Sequence, residues 1–127
     1  MTTTALIVDD SKLARLVAAK LLRKLKPDWD VAEAANAEAA MTVLDERQID
    51  VALLDFNMPG KDGLELAADL RAAKPGMPIA VVSANIQDEI IARARSVDAT
   101  FLAKPLTDEA LAGFLSGAAL RLRRAAS

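Results

Sequence analysis

Asp9, Asp10, Asp55, Ser83 and Lys104 are the residues of this sequence whose types could do chemistry together. Each follows directly on a short apolar run: Asp9 and Asp10 on Ala5-Leu6-Ile7-Val8, Asp55 on Val51-Ala52-Leu53-Leu54, Ser83 on Ile79-Ala80-Val81-Val82, and Lys104 on Phe101-Leu102-Ala103. For any one of them alone, a helix cap or a solvated loop residue is a sufficient explanation. Gathered in one place they become a different object. Three carboxylates within a few ångströms repel, and one takes up a proton unless cations intervene. Lys104 brings one positive charge to such a group. A hard divalent ion would complete it, and Mg²⁺ (or Mn²⁺) is held by one or two carboxylates, a carbonyl, waters and a phosphate oxygen in preference to a full protein cage.

The elements between these residues decide whether they meet. Short β-branched runs at residues 5–8, 50–54, 77–82 and 99–103 read as buried strands, and 29–33 as a weaker, partly exposed one. Helices follow each. The first spans residues 11–26, with Ala14, Val17, Ala18, Leu21, Leu22 and Leu25 as its apolar face and Lys12, Arg15, Lys20, Arg23 and Lys24 as its wet one. The second runs from an Asn36 cap to about Arg47, and the third from Asp62 and Gly63 to Ala73, closed by Pro75-Gly76. The fourth covers residues 86–96, and the fifth begins at a Thr107 cap and carries Arg121, Arg123 and Arg124 near its end. Strand–helix alternation of this kind implies a parallel sheet with helices on both faces and right-handed crossovers. All strands then point one way, and their polar ends share one edge. If strands one, three, four and five are neighbours in that sequence, adjacent ends lie about 5 Å apart. Lys104 spans the remaining gap to Asp55 with its long side chain. The order 2-1-3-4-5 is a common doubly wound arrangement, with its switch point between Asp10 and Asp55.

Composition narrows the chemistry further. With 127 residues, 53% hydrophobic and 27% charged, the chain fits one folded domain over 1–127, its core about 4–124. It has no cysteine and no histidine, which removes disulfides, thiolate and imidazole metal sites, and Ser-His or Cys-His catalysis. A formal charge of −2 argues against nucleic acid or an anionic membrane as partner. The N-terminus, Met1-Thr2-Thr3-Thr4, is no signal peptide, and no apolar run approaches the roughly 18 residues of a membrane span. A cytoplasmic location is expected.

Asp9-Asp10 after strand one, Asp55 followed by Met58-Pro59 and Asp62-Gly63, Ser83 after strand four and Lys104-Pro105 after strand five resemble the receiver domain of two-component response regulators, of the single-domain chemotaxis-regulator type. The resemblance covers the whole chain. It implies a doubly wound five-stranded parallel sheet with five helices, the flavodoxin-like three-layer α/β sandwich. It also implies that Asp55 is the phosphoacceptor, that Asp10, Asp55 and the backbone carbonyl of Asn57 bind Mg²⁺ with Asp9 acting through water, and that Lys104 pairs with the phosphoryl oxygens. Ser83 would bond the phosphoryl group where Thr is more frequent, and Phe101 stands where a Tyr often acts as a rotameric switch. The Lys104-Pro105 bond would be cis. The donor would be a sensor histidine kinase or phosphotransfer protein. Helix four, strand five and helix five would bind a downstream protein. Only Ala125-Ala126-Ser127 follow the last arginines, so output in trans, without an output domain or a classical enzyme activity, is expected. Two alternatives stand beside this. One is a degenerate, unphosphorylated interaction module. The other is a Mg²⁺-dependent phosphatase of the haloacid dehalogenase type, which would need an acid where Asn57 stands.

Overall fold

A computed structural model describes residues 2–126. Its elements alternate throughout: β1 (Thr4–Val8), α1 (Lys12–Leu25), β2 (Asp30–Ala34), α2 (Ala37–Glu46), β3 (Val51–Asp55), α3 (Gly63–Ala73), β4 (Ile79–Ser83), α4 (Asp88–Ser96), β5 (Thr100–Ala103) and α5 (Asp108–Ala126). The strands form one sheet in the order β2-β1-β3-β4-β5, every pair parallel. None of the described helices is long and apolar enough to cross a membrane.

The strands read as continuous apolar runs because both faces of the sheet are covered. Successive side chains alternate between two cores. Leu6, Val8, Ala52, Leu54, Ile79 and Val81 point to the side packed by α2, α3 and α4. Ala5, Ile7, Val51, Leu53, Ala80 and Val82 point to the side packed by α1 and α5. Aliphatic side chains, chiefly Leu, Ala, Ile and Val, supply most of this packing, as a sequence with 3% aromatics requires.

Helix starts are fixed by their own side chains. Ser11 Oγ accepts from the Ala14 amide, Asn36 Oδ1 from Ala39, and Thr107 Oγ1 from Ala110. At α3 the Asp62 carboxylate accepts from the Glu65 amide while Glu65 accepts from the Asp62 amide, a reciprocal capping box. α4 has no side-chain cap at Gln87 and starts at Asp88, which leaves Ile86 in the preceding loop.

Two expectations require correction. Trp29 is not part of β2; it precedes it at the N-terminal edge of the sheet, with Lys26 Nζ 5.6 Å from its ring centre. The faces of α1 also differ. Val17, expected in the core, is 61% exposed beside Leu13 and Leu16, whereas Ala19 is fully buried. Apolar residues surround most of this helix, so spacing alone does not select which arc meets the sheet. Arg15, expected on the wet face, is folded inward, its side chain 16% exposed.

Candidate functional site

The C-terminal edge of the sheet is where the sequence places its chemistry. Ladder bonds continue just past the strands: the Asp9 amide donates to Ala34, the Phe56 amide to Val82 and the Lys104 amide to Ser83. These bonds hold the ends of neighbouring strands level. Carboxylate oxygens of Asp9, Asp10 and Asp55 consequently lie within 4.8 Å of one another. Asp55 is 6% exposed and Asp9 9%, while Asp10 is open to solvent. The Lys104-Pro105 bond is cis, and Lys104 Nζ lies 2.6 Å from Asp55 Oδ1.

Burial and charge set the electrostatics. Each carboxylate pair at such a separation costs about 3.5 kcal/mol at an effective dielectric near 20. Burial pushes the Asp9 carboxyl above its ordinary value, and repulsion from Asp55 and Asp10 adds to this. The Ser11 amide, bonded to Asp9 Oδ1 at 2.9 Å, and the Lys104 charge oppose the rise. Asp55 Oδ1 is a buried oxygen whose one partner among the described residues is the Lys104 ammonium beside it. Three hard oxygen donors within 4.8 Å of one another, with one ammonium beside them among the described residues, fit a divalent cation such as Mg²⁺.

The segment after Asp55 is shaped around this cluster. Asn57 is exposed and, with Asp10, Phe56, Met58, Pro59 and Asp62, lines a cleft of about 320 Å³. Gly60, at φ +80°, turns the chain into α3. Gly63 then packs against the backbone of Asp55 itself: a Cβ there would lie 2.4 Å from the Asp55 carbonyl oxygen. Arg93 of α4 holds the same segment from the side, 3.4 Å from Asp62 Oδ2 and over the Phe56 ring. On the other side of Asp55, a cavity of about 640 Å³ runs between α1 and the β5–α5 loop, reaching Asp9, Asp55, Lys104, Val17 and Leu106.

Asp9, Asp10, Asp55 and Lys104 therefore meet as the sequence implies. Ser83 is fully buried at the end of β4, where its Oγ accepts from the Asn85 amide at 3.0 Å. Phe101, paired in register with Val81, is half-buried on β5 against the α4 side of the core. Arg15 and Arg93 belong to the surroundings of the site and were not among the residues singled out by sequence. On helices rich in Lys and Arg, one inward-turning arginine has no distinguishing spacing.

Known proteins share this arrangement. The response regulator receiver domain family matches residues 5–115. A positive alginate biosynthesis regulatory protein of Pseudomonas aeruginosa is 41% identical over 116 residues, 89% of this chain and 46% of that protein. The sensory transduction protein LytT of Bacillus subtilis is 35% identical over 105 residues, 82% of this chain and 43% of the relative. The chain thus spans about half the length of the curated relatives it matches. Among solved structures, the chemotaxis protein CheY4 of Vibrio cholerae superimposes with a TM-score of 0.83 at 26% identity, covering 93% of this chain and 99% of that one. By its fold, the residues at its sheet edge and these matches, the chain belongs to the response regulator receiver domain family.

Proposed function

We propose that Asp55 is the phosphoacceptor of this receiver domain. The observation that carries this is the environment of its carboxylate: buried, paired through Oδ1 with Lys104 Nζ at 2.6 Å and within 4.8 Å of two further carboxylates. An oxygen of Asp55 attacks the phosphorus of a donor. The new O–P bond forms as the bond to the leaving atom breaks, and its electron pair departs with an imidazole nitrogen of a phosphohistidine or the carboxylate of acetyl phosphate. A carboxylate oxygen attacks with a lone pair of its own, so no separate base is required. A bound divalent cation supplies charge neutralisation to carboxylates and phosphoryl oxygens alike. Asp10, Asp55 and the Asn57 carbonyl would hold it, with Asp9 acting through water. Lys104 balances the charge that develops on the transferred group.

Ser83 links modification to shape. Its Oγ accepts from the Asn85 amide, so its own hydrogen is free to point at a phosphoryl oxygen. Movement of Ser83 toward that oxygen draws the β4–α4 loop with it, and the half-buried Phe101 follows into the space vacated. Phe101 is then the switch residue, and the α4–β5–α5 face is the surface that a downstream protein reads. A phosphoryl group adds charge and three acceptor oxygens, enough to bias an existing two-state equilibrium. A sensor histidine kinase or phosphotransfer protein is the donor.

Intact-mass spectrometry after incubation with acetyl phosphate and Mg²⁺ tests the assignment. One phosphoryl group is expected on the wild-type chain and none on Asp55→Asn. Absence of modification on the wild type would instead support a degenerate interaction module, and modification of Asp55→Asn would move the acceptor elsewhere.

A further inference from the structure

Arg15 carries none of the roles assigned above, yet it is bound to the site. It stands in the first turn of α1, five positions after Asp10, and the helix returns its guanidinium over the end of β1. Nη1 donates to the backbone carbonyl of Asp9 at 2.6 Å, and Nε donates to Glu33 Oε1 at 3.2 Å. Glu33 belongs to β2 and is paired in register with Ile7 of β1. One rigid fork therefore ties α1, the end of β1 and the end of β2, with a side chain only 16% exposed.

The carbonyl that Arg15 holds belongs to the Asp9–Asp10 peptide. That unit is planar, so fixing its oxygen also fixes the direction in which the chain leaves toward Asp10. The two carboxylates differ in what else restrains them. Asp9 is tethered through Oδ1 by the Ser11 amide. The Asp10 carboxylate receives no hydrogen bond from the described residues, and its side chain stands in solvent. Its place within 4.8 Å of Asp9 and Asp55 is set by its backbone alone.

We propose that Arg15, braced by Glu33, is a positioning residue for the divalent-cation site: it aims the Asp9–Asp10 peptide so that the Asp10 carboxylate converges with those of Asp9 and Asp55. The inference rests on reading the three carboxylates as that site. Charge and position act with opposite sign here, which makes the role separable. The positive charge of Arg15 opposes a cation, so on Coulombic grounds its removal tightens binding. Loss of a brace loosens it. Lysine keeps the charge, but one flexible ammonium does not reproduce two N–H groups directed at a carbonyl and a carboxylate together.

Calorimetric titration of the unphosphorylated full chain with MgCl₂ tests this. Removing an outer-shell partner of a metal site costs about 10–100-fold in affinity. Both Arg15→Ala and Arg15→Lys are therefore expected to bind Mg²⁺ about tenfold more weakly than the wild type. Glu33→Ala should weaken binding less, and the double variant Arg15→Ala/Glu33→Ala no more than Arg15→Ala, since Glu33 acts through Arg15. The thermal midpoint in the same buffer reports folding separately. With acetyl phosphate, the half-saturating Mg²⁺ concentration should rise while the plateau rate stays. Arg15→Ala binding that is unchanged or tighter overturns the proposal, as does Arg15→Lys binding equal to wild type. Asp10→Asn separates the two levels. If it abolishes binding while Arg15→Ala binds as tightly as the wild type, the brace alone is wrong; if the wild type and Asp10→Asn titrate alike, the metal reading falls and the brace with it.

Discussion

Gly63 shows how far a single residue can constrain Asp55, the proposed phosphoacceptor. A Cβ at this position would meet the Asp55 carbonyl oxygen at 2.4 Å and the Phe56 Cα at 2.8 Å, and both neighbours are backbone that cannot turn aside. Gly63→Ala must therefore displace the start of α3 or the end of β3. Overpacking of this kind costs on the order of 2–3 kcal/mol. Denaturant unfolding should show that loss, and phosphorylation by acetyl phosphate should slow because Asp55 moves with its backbone. Gly117→Ala on α5 is the control: a Cβ there meets nothing within 4 Å, and removing a helical glycine should stabilise by about 0.5–1 kcal/mol. In the sequence, Asp62-Gly63 is legible as a helix start, because a cap and its following turn are local chemistry. That position 63 must be glycine is not legible, since the crowding comes from the strand the chain has just left. The acidic residues and Lys104 were readable for the opposite reason: each ends an apolar run, and the sheet needs only to be parallel to gather them. Arg15 was not, because the first turn of α1 had to be built before its direction was known.

α1 raises the same question for a whole element. Leu13, Leu16 and Val17 lie on its outward side, three of the most exposed large apolar residues of the described chain, next to the cavity that opens on Asp55 and Lys104. A face of this type marks a contact surface. On the proposed role of Asp55, a protein that hands it a phosphoryl group must bring its donor atom to the sheet edge that α1 borders. Lys12 and Lys20 flank the patch and favour an acidic rim on the partner. Leu16→Asp should therefore slow transfer from a phosphorylated histidine kinase or phosphotransfer protein by tenfold or more, about 1.4 kcal/mol. It should leave modification by acetyl phosphate and the thermal midpoint unchanged, because Leu16 packs against nothing in the core. Equal slowing with both donors would place the defect in Asp55 instead. The order of strands and helices was legible from period and punctuation, and most boundaries fall within two residues of the sequence expectation. The outward face of α1 was not, since a helix apolar on nearly all sides gives no periodic sign of which side is covered.

At the scale of the molecule, a parallel sheet collects its strand ends on one edge, and this chain loads that edge with like charge. Three carboxylates share one close ammonium, and the Asp9 carboxyl titrates above its ordinary 3.8. Because the folded form holds the Asp9 proton more tightly than the unfolded form, stability falls as pH rises from that ordinary value through the raised one. Above the raised value the penalty is fully present, so in chelator Asp9→Asn should be more stable than the wild type near pH 7. The advantage should vanish below the ordinary carboxylate range. A divalent cation held as proposed would reverse the balance, since it would bind the folded arrangement and require the carboxylates to be ionised. At a hundredfold excess over its dissociation constant it adds about 2.7 kcal/mol, a rise on the order of 10 °C in the midpoint of a domain this size. Protons compete for Asp9, so that rise should shrink as pH is lowered through the raised value of Asp9. In Asp9→Asn the shift should be smaller at neutral pH and should lose the part of its pH dependence that Asp9 contributes. Thermal unfolding followed by circular dichroism, with Mg²⁺ or EDTA at each pH, measures all four curves. A Mg²⁺ shift that does not change with pH in the wild type would mean that Asp9 takes no part in holding the ion.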